Sequence, residues 1–95
     1  MLGENIKMSL HFYFTTSVNN KIIENTQFAK DVVNAVKKYC KYDWGCLTEE
    51  DKNSNDEALK NGNRIVAAYE TCCSKIYIIT EVDRSITTVL LSEEY

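Results

Sequence analysis

The sequence predicts an α+β fold in which a four-stranded antiparallel sheet packs against one amphipathic core helix and one polar acidic helix, in the order β-α-α-β-β-β. Three observations predict this two-layer arrangement. Apolar residues recur at three- and four-residue spacing through residues 25–42, as in a helix that packs on one face. The last third of the chain holds three β-rich runs separated by short polar links. A length of 95 residues and a hydrophobic fraction of 44% suit one globular core.

The first strand is predicted at residues 10–16, LHFYFTT, because aromatic residues and threonine favour strands. Phe12 and Phe14 share one face of this strand, and His11 and Tyr13 share the other. The two asparagines at positions 19 and 20 are typical of a turn.

The core helix is predicted over residues 25–42. Asn25 or Thr26 can cap its start, and three lysines gather in its last turn, where the helix dipole favours cations. Valine lowers helix propensity, so packing against the sheet has to hold this helix. Its apolar stripe consists of Phe28, Ala29, Val32, Val33, Val36, Tyr39 and Cys40.

The segment DWG at residues 43–45 is predicted to end the core helix, and a second helix follows it. Thr48 and the three acids after it predict a capping box, and Gly62 predicts the stop. Only Ala58 and Leu59 are apolar between residues 49 and 60. Most of this helix is therefore expected to remain in water.

Three further strands are predicted at residues 64–70, 75–81 and 86–91. One amphipathic helix can cover only one face of the resulting sheet. The side chains that it cannot cover together are those of Phe12, Phe14, Tyr69, Tyr77 and Ile79. We therefore expect a partner, a second copy or the N-terminal segment to close part of the sheet.

The charge balance bounds the function classes. A net charge of −3 and an isoelectric point near 5.1 argue against direct nucleic-acid binding, which needs lysine and arginine to neutralise phosphates. No membrane span or secretion signal is recognisable, which predicts a cytoplasmic protein with reduced cysteines.

Met8 is a candidate native start, because Gly3 and Glu4 can be encoded by a purine-rich stretch like a bacterial ribosome-binding site. Residues 1–8 are accordingly set apart as an N-terminal extension of the single α+β domain at residues 9–95.

Several short motifs resemble those of a family of small proteins of bacterial plasmids, phages and integrated elements. The shared features are a phenylalanine-led helix, DWG, an acidic EED stretch, ITE, DRS, TT and a terminal EY. The resemblance implies a mobile-element setting and supplies no established activity. The matching residues here are Phe28, Asp43, Trp44, Gly45, Glu49, Glu50, Asp51, Asn55, Leu59, Gly62, Arg64, Thr80, Glu81, Asp83, Arg84, Ser85, Thr87, Thr88, Glu94 and Tyr95.

The strongest functional signal is the acidic stretch at residues 43–57, where six carboxylates against one lysine leave a net charge of −5. These carboxylates can imitate phosphates and occupy a basic surface on a nuclease. The alternative is a solvated helix face whose acids complement the helix dipole.

Two other features also have two interpretations. Asp83, Arg84 and Ser85 can contact a partner or an anion through Arg84, or can stabilise a turn through local hydrogen bonds and an acid paired with Arg84. Trp44 can be an exposed contact residue, or can seal the core with its N–H bonded locally, Gly45 supplying the chain reversal.

Catalytic and metal signatures are weak. Cys40, Cys46, Cys72 and Cys73 fit no usual zinc spacing, and adjacent cysteines in a strand point to opposite faces, so reduced, partly buried thiols are expected. No cofactor or metal is predicted, and His11 is the single histidine.

The sequence favours a non-enzymatic protein-binding module of a mobile element that blocks a host defence nuclease, of the CRISPR or restriction type. Its expected partner is a host protein with a basic surface. Two alternatives stay open: a small enzyme built around Asp83, Arg84, Ser85, Thr87 and His11, or an accessory protein that forms a homodimer through its sheet. The predicted partner-binding residues are Asp43, Trp44, Glu49, Glu50, Asp51, Asp83, Arg84 and Ser85.

Overall fold

A computed structural model describes residues 11–95. The predicted extension at residues 1–8 and the candidate start at Met8 lie outside the described residues. The chain forms β1 (Phe12–Phe14), α1 (Thr16–Glu24), α2 (Thr26–Cys40), α3 (Glu49–Asn61), β2 (Ile65–Tyr69), β3 (Ile76–Thr80), β4 (Thr87–Leu91) and a final 3₁₀ turn (Ser92–Glu94). The predicted α+β class is confirmed.

The sheet is mixed rather than antiparallel, with the strand order β1-β4-β3-β2. Strands β2, β3 and β4 form an antiparallel meander, whereas β1 pairs in parallel with β4. The prediction of a fully antiparallel sheet is therefore wrong. Three helices connect β1 to the meander, and such a long connection leaves either strand direction available.

Helix α1 occupies the region where the sequence predicted a turn. Thr15 caps this helix by accepting a hydrogen bond from the Val18 N–H, at 3.2 Å. Asn19 and Asn20 are exposed within the helix, while Val18 is fully buried in the core. Burial of the apolar side therefore outweighs the low helix propensity of the two asparagines.

Three of the four predicted ends of the other two helices are confirmed, whereas α2 ends at Cys40 rather than at residue 42, and Tyr42 has a left-handed φ of 64°. The Asn25 side chain caps α2 by accepting a hydrogen bond from the Phe28 N–H, at 2.9 Å. The Thr48 hydroxyl caps α3 by accepting from the Asp51 N–H, at 3.1 Å. Gly62 ends α3 in the left-handed conformation, with φ of 79°.

The core lies between the helices and one face of the sheet. Alternation along the strands directs Ala67, Ile78 and Val89 toward the buried side chains of α1 and α2. Phe12 and Phe14 pack against the same core, and Tyr69 is buried in it. The five side chains do not all lie under the core helix, and α1 is a second helix on this face that the sequence did not predict.

The opposite face carries the other two side chains for which outside cover was expected. Tyr77 lies beside the ring of Tyr95, with centroids 4.9 Å apart, and the Arg64 guanidinium lies 5.9 Å from the Tyr95 centroid. Ile79 is 3% exposed. The C-terminal end of the chain thus covers part of this face itself. Within residues 11–95, no helix has the length and apolarity to cross a membrane.

Candidate functional site

The exposed surface of α3 carries five carboxylates, which we call the acidic face; Asp51 lies at its edge, four residues before the buried Asn55. Its residues are Glu49, Glu50, Asp51, Asp56 and Glu57, all exposed. The side of α3 toward β2 contains the buried residues Asn55 and Ala58. The predicted polar helix is thus confirmed, with a narrow buried side.

Asn55 ties α3 to the outer edge of β2. Its amide nitrogen donates to the Val66 carbonyl at 2.9 Å, and its carbonyl oxygen accepts from the Val66 N–H at 3.3 Å. This carboxamide therefore satisfies two backbone groups that an added strand would otherwise use. The sequence did not predict that Asn55 would bind β2, because a single asparagine in a polar helix is not distinguishable from the exposed residues around it.

The segment around Gly45 closes the next part of the same edge. The Cys46 N–H donates to the Ala68 carbonyl at 2.9 Å, and the Ala68 N–H donates to the Trp44 carbonyl at 3.4 Å. Since β2 is an edge strand, these contacts and those of Asn55 block sheet extension there. A homodimer through the sheet would have to pair elsewhere.

Gly45 allows this close approach of two backbone segments. Its φ of 81° lies in the left-handed region, and an added Cβ would lie 1.9 Å from the Ala68 carbonyl oxygen. The sequence correctly assigned the chain reversal to Gly45, but the contact with β2 was not predictable from local pattern.

Trp44 lies in the core rather than on the surface. Its side chain is 2% exposed, and its ring packs edge-on against Tyr39, with centroids 5.4 Å apart. The indole N–H donates to the Asp56 carboxylate at 2.9 Å. Trp44 therefore supports the acidic face from beneath and offers no contact surface of its own, in agreement with its core-sealing interpretation.

Arg84 stabilises the C-terminal end of α3. Its guanidinium donates to the carbonyls of Ala58 at 2.8 Å, Asn63 at 2.8 Å and Glu81 at 3.1 Å. These are backbone acceptors, so the expected pairing of Arg84 with an acid is wrong. The Ala58 carbonyl also accepts from the Gly62 N–H at 2.9 Å, so Arg84 adds a second donor at the C-terminal end of α3, where the helix dipole favours positive charge.

Asp83 and Ser85 stabilise the turn that presents Arg84. The Asp83 carboxylate accepts from the Ser85 hydroxyl at 2.7 Å and from the Ser85 N–H at 3.0 Å. These two hydrogen bonds hold the pKa of the Asp83 carboxyl below its usual value. The turn interpretation of these residues matches this geometry.

The predicted partner-binding residues form two groups at opposite ends of α3. Glu49, Glu50 and Asp51 lie in its first turn, and Arg84 binds its last turn. A helix of 13 residues is about 20 Å long at about 1.5 Å per residue. The structure therefore does not join the two groups into one compact site.

Thr87 and His11 of the alternative enzyme model are neighbours through their backbones, but only Thr87 is buried. The Thr87 side chain is fully buried, and its hydroxyl lies 2.8 Å from that of Thr80, which in turn lies 2.5 Å from the Tyr39 hydroxyl. Burial raises the pKa of Tyr39 to about 12. His11 precedes β1 and is exposed, and its backbone carbonyl accepts a hydrogen bond from the Thr87 N–H at 2.9 Å.

An open cleft of about 340 Å³ lies between α2 and the end of β2. Its charged side chains are Asp31, Lys38 and Glu70, which are of mixed sign. Tyr69 lines the cleft, but its hydroxyl donates to the Asp43 carbonyl at 2.6 Å, and burial raises its pKa. Tyr69 therefore stays protonated and cannot serve there as a base.

The four cysteines are exposed free thiols, so the prediction that they are partly buried is wrong. Among residues 11–95, no three His, Cys, Asp or Glu side chains gather as a metal site would require.

The chain matches no protein-family model, no curated protein and no solved structure. The geometry and charge of the acidic face therefore carry the functional interpretation.

Proposed function

We propose that this protein is a non-enzymatic protein-binding module of a bacterial mobile element, and that its acidic face occupies a basic, nucleic-acid-binding surface of a host defence nuclease. The observation that carries the proposal is that three exposed carboxylates of α3 have no partner within the described residues. Within residues 11–95, no hydrogen bond or ion pair uses the side chains of Glu50, Asp51 or Glu57.

The charge density supports a specific form of mimicry. The five carboxylates lie between Glu49 and Glu57, which span about 12 Å of α3 at about 1.5 Å per residue, so they average one charge per about 3 Å. Duplex DNA carries one charge per about 1.7 Å of axis, and a single strand one per about 3.4 Å. The acidic face therefore resembles a short length of one strand more closely than it resembles a duplex. We infer that it replaces a single-stranded segment, such as a guide or a displaced strand.

The attachment of α3 supports a rigid binding surface. Asn55, Trp44 and Arg84 fix the helix through contacts with β2, the core and the Glu81 turn. Rigid presentation reduces the entropy lost on binding. The resemblance to proteins of mobile elements supplies the setting in which a host nuclease is the relevant partner.

The experiment compares two triple variants that each remove three negative charges. The test variant is Glu50→Gln/Asp51→Asn/Glu57→Gln. The control is Glu24→Gln/Glu70→Gln/Glu93→Gln, at exposed positions outside α3. Exposed ion pairs contribute about 0.2–1 kcal/mol each, so the test variant should bind its partner about 3- to 150-fold more weakly. The control should bind like the wild type.

The assay is capture of nuclease complexes from a host lysate, followed by displacement with a single-stranded oligonucleotide. The proposal predicts that the captured protein is basic, that salt weakens its retention, and that the oligonucleotide displaces it. Equal capture by the test variant and the wild type would refute the role of the acidic face. Retention in the presence of the oligonucleotide would refute the mimicry.

A further inference from the structure

The β2–β3 hairpin loop brings two thiols together. The Sγ atoms of Cys72 and Cys73 lie 3.2 Å apart, and both residues are exposed. Adjacent side chains in an extended strand point to opposite faces, but the bend at these two residues puts both sulfurs on one side. The pair therefore differs from the isolated thiols of Cys40 and Cys46.

Hydrogen bonds within the loop hold this bend. The Thr71 hydroxyl accepts from the Cys73 N–H at 3.2 Å and from the Ser74 N–H at 3.0 Å, and it donates to the Ser74 carbonyl. The sulfur pair is thus presented by a loop with its own fixed geometry rather than by a loose tether.

Contacts with α2 fix the loop from outside. The Cys72 N–H donates to the Asp31 carboxylate at 2.8 Å, and the Asn25 amide nitrogen donates to the Cys73 sulfur at 3.3 Å. The hydrogen bond from the Cys72 N–H makes the largest contribution to lowering the pKa of the Asp31 carboxyl. The hydrogen bond with the Cys73 sulfur makes the largest contribution to raising the pKa of the Cys72 thiol, which is about 11.

The geometry discriminates among the possible uses of a dithiol. A tetrahedral zinc ion with bonds of about 2.3 Å holds two sulfurs about 3.8 Å apart and needs further ligands. Among residues 11–95, no third metal-binding side chain joins the pair. A disulfide needs Cα atoms about 4.4–6.8 Å apart, whereas adjacent residues are only about 3.8 Å apart. A single atom that bonds to both sulfurs and needs no further protein ligand requires neither a third side chain nor a longer Cα–Cα distance.

We propose that Cys72 and Cys73 chelate a monosubstituted trivalent arsenical. The arsenic atom of such a compound binds thiolates strongly and needs only two ligands from the protein. In the reaction, an arsenic(III) oxide R–As=O exchanges its oxygen for two As–S bonds. The two thiol protons leave with that oxygen as one water molecule. Arsenic stays trivalent, so no oxidant or reductant is consumed.

The test uses the full chain, reduced, with phenylarsine oxide as the probe and excess glutathione as a competing monothiol. The wild type should gain one probe molecule, less one water, by intact mass. Cys72→Ser and Cys73→Ser should each bind about 10²- to 10⁴-fold more weakly, because only a pair makes the second bond intramolecular. The control Cys40→Ser/Cys46→Ser should bind like the wild type, and a small dithiol should remove the probe from both.

Three results would overturn the proposal: no adduct on the wild type in glutathione, an adduct that maps to Cys40 or Cys46, or equal binding by the single-thiol variants. Because both cysteines are exposed, the serine variants should fold, and their thermal melting curves verify this. Cys73→Ala provides a second single-thiol variant, and it should show the same loss of binding.

Discussion

Replacing Gly45 with alanine should destabilise the fold far more than the same replacement at Gly62. The two glycines have nearly the same backbone conformation, with φ of 81° and 79°. They differ in their surroundings. An added Cβ at Gly45 would lie 1.9 Å from the Ala68 carbonyl oxygen and 2.7 Å from the Tyr69 ring, whereas at Gly62 nothing lies within 4 Å. The pair therefore separates a steric effect from a conformational one.

The expected magnitudes follow from these contacts. A left-handed alanine costs about 1 kcal/mol, which is the whole effect expected at Gly62. At Gly45 the 44–46 segment also has to move away from β2, which breaks its two backbone hydrogen bonds with Ala68. Each contributes about 1 kcal/mol, and displacement of the Tyr69 ring adds a similar amount, so the total is about 3–4 kcal/mol.

The assay is thermal and urea unfolding of both variants beside the wild type. For a domain of this size, 1 kcal/mol shifts the melting temperature by about 4–8 °C. Gly62→Ala should therefore melt about 4–8 °C lower, and Gly45→Ala more than 12 °C lower. Equal shifts for the two variants would refute the steric contact between the Gly45 segment and β2.

Substitutions at three further positions test the anchors of α3 and the buried hydroxyls. Asn55→Ala should lower the free energy of unfolding by about 2–3 kcal/mol and expose the Val66 edge, giving self-association by light scattering; a monomer of unchanged stability contradicts this. Arg84→Ala should cost about 2–4 kcal/mol in urea unfolding, and Arg84→Lys should restore less than half, since a lysine cannot reach three carbonyls. Tyr39 has a folded pKa of about 12 against an unfolded value of 10.0, so its stabilisation is present below pH 10 and is lost as the pH rises toward 12. Tyr39→Phe should therefore flatten the dependence of stability on pH in that window by up to about 1.4 kcal/mol per unit, and an unchanged slope would refute burial as the cause.

Features determined by local pattern were predictable from the sequence. The caps at Asn25 and Thr48 and the stop at Gly62 depend on neighbouring residues alone, and all three are confirmed. Helix α1 was missed because two asparagines dominate its local signal, while the burial that stabilises it is a tertiary effect. The parallel pairing of β1 with β4 was missed for a similar reason, since nothing near β1 encodes its direction.

The candidate sites show the same division. Exposure of the acidic face follows from the near absence of apolar residues in α3, which the sequence displays directly. The roles of Asn55 and Arg84 depend on backbone groups 11 and 26 positions away along the chain, so no local pattern could indicate them. The sulfur pair was not predictable, because the rule that adjacent side chains point to opposite faces holds for strands and not for the bend at Cys72 and Cys73.

The helix dipole accounts for only part of the acidic face. Glu49, Glu50 and Asp51 lie in the first turn, where negative charge stabilises the helix by about 0.3–1 kcal/mol per residue. Asp56 has a structural role through its hydrogen bond with Trp44. Glu57 lies beyond the first turn and has no partner within residues 11–95. Glu57 makes no hydrogen bond or ion pair in the described part of the chain that would stabilise the helix, whereas a binding surface that extends along α3 gains charge two turns from Glu50. Glu57 is thus the residue at which stability and recognition predict different outcomes.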